Sequence, residues 1–179
     1  SLGKINHSYH IWIIASFLMC FIIPNKKNYN LFIIRLIQST ILAHYFFSGL
    51  WKLRNISAPI SFSTYTSTAL EHLAFAIAEG STTLSTFHTT LVYQAPELLG
   101  VGYILVILFQ IGCITPIIMN KYYLPFGVMA ILFHLLTWWA LGISFRPNIA
   151  AIILFIIVVE LILKRPNFIS SCRKKVLRR

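Results

Sequence analysis

Residues 44–53 read HYFFSGLWKL: an apolar, aromatic run that breaks at Ser48-Gly49 and then sets Lys52 between Trp51 and Leu53. Upstream the apolar character reaches back to Leu31, so Leu31–Leu53 is long enough to meet the ~20 residues that a helix needs to cross a bilayer. Along that helix Gln38, Tyr45, Ser48, Gly49 and Lys52 recur at steps of three, four and seven, which return to one face. The small pair Ser48-Gly49 lets a second helix come close. Lys52 admits two readings. At a helix end its stem can reach the headgroups, which makes it an anchor. Burial disfavours the charged form of an amine, so a partly desolvated lysine is also a usable base.

Working outward, composition places the whole chain in the membrane. Of its 179 residues 58% are hydrophobic and 11% charged, the mean hydropathy is +0.78, and a soluble domain would carry about a quarter charged residues. The apolar runs Ser8–Ile23, Leu31–Leu53, Leu98–Met119, Tyr122–Phe145 and Ile149–Leu163 predict an all-α integral membrane protein, a bundle of about five transmembrane helices. Pro24-Asn25 ends the first run. Pro96 fits the first turn of the third, where Glu97 complements the helix dipole. The opening residues lack a dense basic start and a small-residue cleavage site, so no cleavable signal peptide is expected.

The net charge is +11, from fifteen Lys and Arg against four Glu. This excess flanks hydrophobic runs, which points to the lipid bilayer as partner and away from nucleic acid. Five crossings put eleven basic residues on one side (Lys26, Lys27, Arg35, Lys121, Lys164, Arg165 and the tail) and four on the other: Lys4, Lys52, Arg54 and Arg146. The positive-inside rule then sets the C-terminus in the cytoplasm, for instance of a bacterial inner membrane. Residues 1–165 form the transmembrane domain and residues 166–179 a basic cytoplasmic tail.

The connection 54–95 faces outward on this reading. It is Ser/Thr-rich with amphipathic pieces, Leu70, Leu73, Ala74 and Ile77 recurring at helical spacing, and is expected to lie in the interface or re-enter the bilayer. Cys20, Cys113 and Cys172 are far apart with no C-x-x-C, which argues against a thiol redox centre or a cysteine zinc site. His7 and His10 lie three apart at the start of the first span, on the same side as Lys52 by crossing parity. They are either interfacial histidines or part of its site. A metal would need further ligands from Glu71, His72, Glu79 and His88, and none is expected. His134 lies deep in AILFHLLTWWALG, either bonded to a neighbouring polar group or functional. Trp138, one turn on, is placed to shield it or to stack near a flat ligand. Glu160 precedes Lys164 by four, and a local ion pair or snorkelling toward the interface accounts for it.

In order along the chain, INHSYHIWII, IIRLIQSTILAHYFFSGLWKL and ILFHLLTWWALGISF resemble the membrane portion of the vitamin K-dependent gamma-glutamyl carboxylase-like family of horizontally transferred transmembrane domains. The resemblance runs from His7 to about Ser144. Its sharpest pieces are NHSY and Tyr-Phe-x-small-Gly-x-x-Lys-Leu. In that family the lysine of this pattern is regarded as the base that deprotonates a reduced quinone, and Lys52 falls on it. His7 falls on the NHSY histidine near the quinone, and His134 on the histidine of a later Phe-His pair. The resemblance therefore implies Lys52, His7 and His134 as catalytic candidates and a quinone or vitamin K-type lipid as cofactor. Tyr45, Trp138 and His10 are the expected lining. Two departures stand out. Trp51 replaces the first of the family's two basic residues, and these 179 residues hold no counterpart of its large lumenal domain. Whether the chain is an enzyme thus stays open beside two other roles: an accessory subunit among other membrane subunits, and a helper in maturing or exporting a secreted peptide.

Overall fold

A computed structural model describes residues 10–54, 62–78, 86–141 and 145–164. Every regular element among them is a helix: α1 (His10–Met19), α2 (Lys27–Arg54), α3 (Phe62–Ala78), α4 (Thr86–Gln94), α5 (Pro96–Gly112), α6 (Ile114–Met119), α7 (Tyr123–Leu141), α8 (Arg146–Ile152) and α9 (Val159–Leu163), with a π-helical segment Ile153–Val158 joining α8 to α9. Three stretches are long and apolar enough to cross a membrane: Lys27–Leu53, Pro96–Met119 and Arg146–Leu163. His10–Met19 and Tyr123–Trp139 are shorter apolar helices. The boundaries have local causes. Asn25 adopts φ 66° in the turn after Pro24, and the Asn30 side chain accepts from the Ile23 amide at 2.9 Å and donates to the Ile23 carbonyl at 2.7 Å, fixing the α1–α2 corner. Pro96 opens α5 with Glu97 in its first turn. Asn120, in the left-handed region at φ 49°, ends α6.

α2 is the axis. It packs against α1, α5, α6 and the π segment, while α3 lies along α5, and α7 against α8 and the π segment. The core is apolar: Ile37, Ile41, Leu42 and Tyr45 of α2 meet Cys113, Ala130, Ile152 and Ile156. The outer faces are apolar too. Leu98, Leu105, Leu108 and Leu136 are each about 60% exposed, an arrangement that suits hydrocarbon and not water.

Glycines set the closest approaches. A Cβ on Gly49 would stand 2.9 Å from Gln110 Cβ and 3.2 Å from the Ile111 amide nitrogen, so α2 and α5 touch there backbone to side chain. A Cβ on Gly100 would stand 3.3 Å from Thr66 Cα, which lets α3 lie flat on α5. α3 buries Tyr65, Ala69, Leu73 and Ala76. The sequence pattern had selected Leu70, Leu73, Ala74 and Ile77; of these Leu73 is buried, Leu70 and Ile77 are half-buried and Ala74 is exposed, and the small Ala69 and Ala76 take the buried face instead.

Candidate functional site

α2 carries polar groups in three layers seven residues apart, about 10 Å per step at a 1.5 Å rise. The first surrounds Lys52. Its Nζ donates to Ser48 Oγ at 3.0 Å, one turn back on α2, and to Gln110 Oε1 at 2.9 Å across the Gly49 contact. Gln110 is buried. Among the described residues no carboxylate pairs with Lys52. His72, exposed on α3, lies within electrostatic reach of Lys52: partial desolvation first, and then the lysine charge, shift its pKa below the usual histidine value. Its ring lies 5.7 Å from that of Tyr103 on α5, which in turn lies 6.4 Å from Tyr65. Three helices thus converge on Lys52.

The second layer is Tyr45 and His134. The Tyr45 hydroxyl is hydrogen-bonded to His134 Nε2, and both side chains are buried. Phe133, Phe145 and Tyr45 supply the rings around the imidazole, with centroids 5.0, 4.9 and 5.6 Å away. Trp138, expected to shield His134, is 50% exposed on the outer face of α7. His134 Nδ1 and Asn148 Oδ1 are buried polar atoms without a hydrogen-bond partner among the described residues.

The third layer is charged. Arg35 pairs with Glu160 and donates to Gln38 Oε1 at 2.6 Å. Gln38 Nε2 donates to Glu160 Oε1 at 3.2 Å and to the Phe155 carbonyl at 3.1 Å. Phe155 lies in the π segment, and Gln38 supplies its carbonyl with a side-chain donor. The Arg35 guanidinium sits 4.7 Å above the Tyr123 ring, whose hydroxyl meets Ser39 Oγ at 2.9 Å. Glu160 therefore pairs across the bundle with Arg35 rather than with Lys164 on its own helix, because it is buried while Lys164 is exposed.

Of the six residues expected at one site, the structure joins Tyr45 to His134 and holds Lys52 two turns further along α2. His10 is exposed at the start of α1. It lines a groove of about 200 Å³ with Ile14, Ile37, Ile41, His44 and Phe47, on a neighbouring face of α2. His7 lies outside the described residues. His72, Tyr103 and Gln110 complete the lysine layer without having been singled out for it. For Gln110 the signal was present: Gly100, Tyr103, Ile107 and Gln110 form a heptad-spaced stripe on α5 like that on α2. No metal-binding group of His, Cys, Asp or Glu occurs among the described residues. Comparisons with known protein families, with curated proteins and with solved structures return no match.

Proposed function

We propose that this chain is a five-span membrane protein with the scaffold of the vitamin K-dependent carboxylase-like family, and that its α2 binds a quinone or similar flat isoprenoid lipid near the outer leaflet. The observation that carries this reading is the lysine layer. An ammonium is held by two neutral acceptors on facing helices, in a bundle whose outer faces are apolar. An anchoring lysine has no use for a buried glutamine on the next helix, since its task is to reach headgroups. The Tyr45–His134 pair, one heptad deeper and ringed by Phe133 and Phe145, supports an aromatic environment along the same stripe. The orientation, with Lys52 outward and the basic tail in the cytoplasm, follows from the charge distribution.

The test is mass spectrometry of lipids that remain with the purified protein, wild type beside Lys52→Ala. A quinone kept by the wild type and lost in the variant is the expected result. Equal retention, or none in either, returns Lys52 to the status of an anchor.

A second reading has its own observation. Gly102 has nothing within 4 Å of where a Cβ would stand and lies between Leu98 and Leu105, both 60% exposed. Small residues on an exposed apolar face favour a partner helix, which suits an accessory subunit. Co-purification of a second membrane protein, lost in Gly102→Leu, would support it.

A further inference from the structure

The lysine layer has features that a neutral quinone ring does not require. Lys52 offers three donors, and two go to Ser48 and Gln110. Both acceptors are neutral, so the positive charge is not compensated by any carboxylate among the described residues. The titratable groups near it come from α3 and α5: His72 interacts with it electrostatically, the Tyr103 ring lies against that of His72, and Tyr65 lies against Tyr103. Glu71, next to His72 in sequence, is exposed and acts electrostatically on His72. An unpaired cation removed from water is costly, and a pairing anion recovers that cost.

We propose that Lys52, His72 and Tyr103 form a headgroup site for an anionic amphiphile, a lipid bearing a phosphate or carboxylate. Lys52 supplies the charge, and Tyr103 donates from its hydroxyl. His72 donates from a protonated ring nitrogen. The chain of the amphiphile lies along the apolar surface that surrounds the layer, where Trp51 beside Lys52 is 60% exposed. A soluble anion gains only the headgroup contacts, whereas an amphiphile also has this surface, worth ~0.8 kcal/mol for each CH₂ it buries. The proposal rests on Lys52 as a ligand group and not on the ligand's being a quinone.

The experiment is a binding titration on the full chain in neutral detergent, with three probes: an alkyl phosphate, the alcohol of the same chain length, and inorganic phosphate. The alkyl phosphate is expected to bind saturably and the alcohol not. Lys52→Gln should weaken the alkyl phosphate roughly tenfold or more, as loss of a charge-assisted hydrogen bond does. Tyr103→Phe and His72→Phe should weaken it less, and Lys52→Arg should keep most of the affinity. Should Lys52→Gln fail to fold, Lys52→Arg, Tyr103→Phe and the salt dependence of wild-type binding carry the test. Alcohol binding equal to that of the phosphate, or affinity indifferent to all four substitutions and to salt, overturns the proposal. Inorganic phosphate binding as tightly as the alkyl phosphate overturns its lipid half and assigns a soluble anion. Bound quinone, measured on the same samples, keeps the two readings apart. Quinone lost in Lys52→Ala with alkyl phosphate binding intact would sink this proposal alone.

Discussion

Glu160 and Arg35 illustrate what single residues do inside this bundle. Their ion pair is withdrawn from solvent, with side-chain exposures of 8% and 23%, and Gln38 bridges the two, accepting from Arg35 and donating to Glu160 Oε1. Removing one member of such a pair leaves the other charge buried and unmatched, which costs about 3–5 kcal/mol, while replacing both with apolar residues of similar size is close to neutral. Glu160→Leu should therefore lower unfolding stability in detergent by several kcal/mol, and Arg35→Met combined with Glu160→Leu should recover most of it. A double variant no better than the single would mean that the pair is not coupled. Sequence spacing had matched Glu160 with Lys164, since a helix reads its neighbours at i+4. Burial, which spacing does not contain, selected Arg35 instead. His72 escaped for a related reason: its place beside Lys52 depends on how α3 lies on α5, a tertiary fact with no local signature.

At the scale of elements, the α2 stripe was legible because a heptad-spaced polar row survives translation into any helix. Gln38, Tyr45 and Lys52 all have partners on other helices, and Ser48 accepts from Lys52 one turn on. Three long apolar stretches were equally legible, from length and hydropathy alone. The π segment at Ile153–Val158 was not, since no Pro or Gly marks it in the chain; the break at Cys113 lies between Gly112 and Pro116, which has no N–H to offer the Gly112 carbonyl. Gly49 joins the two levels. It was expected to admit a helix, and α5 arrives there with Gln110 in front. Gly49→Val should push α5 away from α2, with an overpacking cost of about 1–3 kcal/mol, and should loosen the Lys52–Gln110 hydrogen bond. The checks are thermal unfolding and retained lipid measured together. Stability and lipid retention both unchanged would show that the helices do not depend on this contact.

The whole molecule has a polarity that its sequence and its helices share. α2 runs from Lys27 to Arg54, and α5 returns antiparallel beside it, so that Gly49 meets Gln110 and, further down, Ser39 meets Tyr123 just beyond α6. Asn25, Asn120 and Lys164 therefore belong to one end of the bundle. Tyr93, 78% exposed, and the indoles of Trp51, Trp138 and Trp139 belong to the other, where aromatic side chains suit an interface. Lys26, Lys27, Lys121 and Lys164 cluster at the first end, which the orientation proposed above makes the cytoplasmic one. α7, with 19 residues, is about 28 Å long at a 1.5 Å rise, close to the ~30 Å hydrocarbon thickness, the length that the proposed five-span arrangement asks of it. The prediction is an alternation. In a variant with Cys20, Cys113 and Cys172 replaced by Ser, single cysteines at Asn25, Tyr93, Asn120 and Arg146 should react with a membrane-impermeant maleimide on intact cells only at Tyr93 and Arg146. Asn25 and Asn120 should need permeabilisation. Labelling of Asn120 and Arg146 from the same side would remove α7 from the crossings. Inversion of the whole pattern would place Lys52 on the cytoplasmic half and with it any lipid that Lys52 holds.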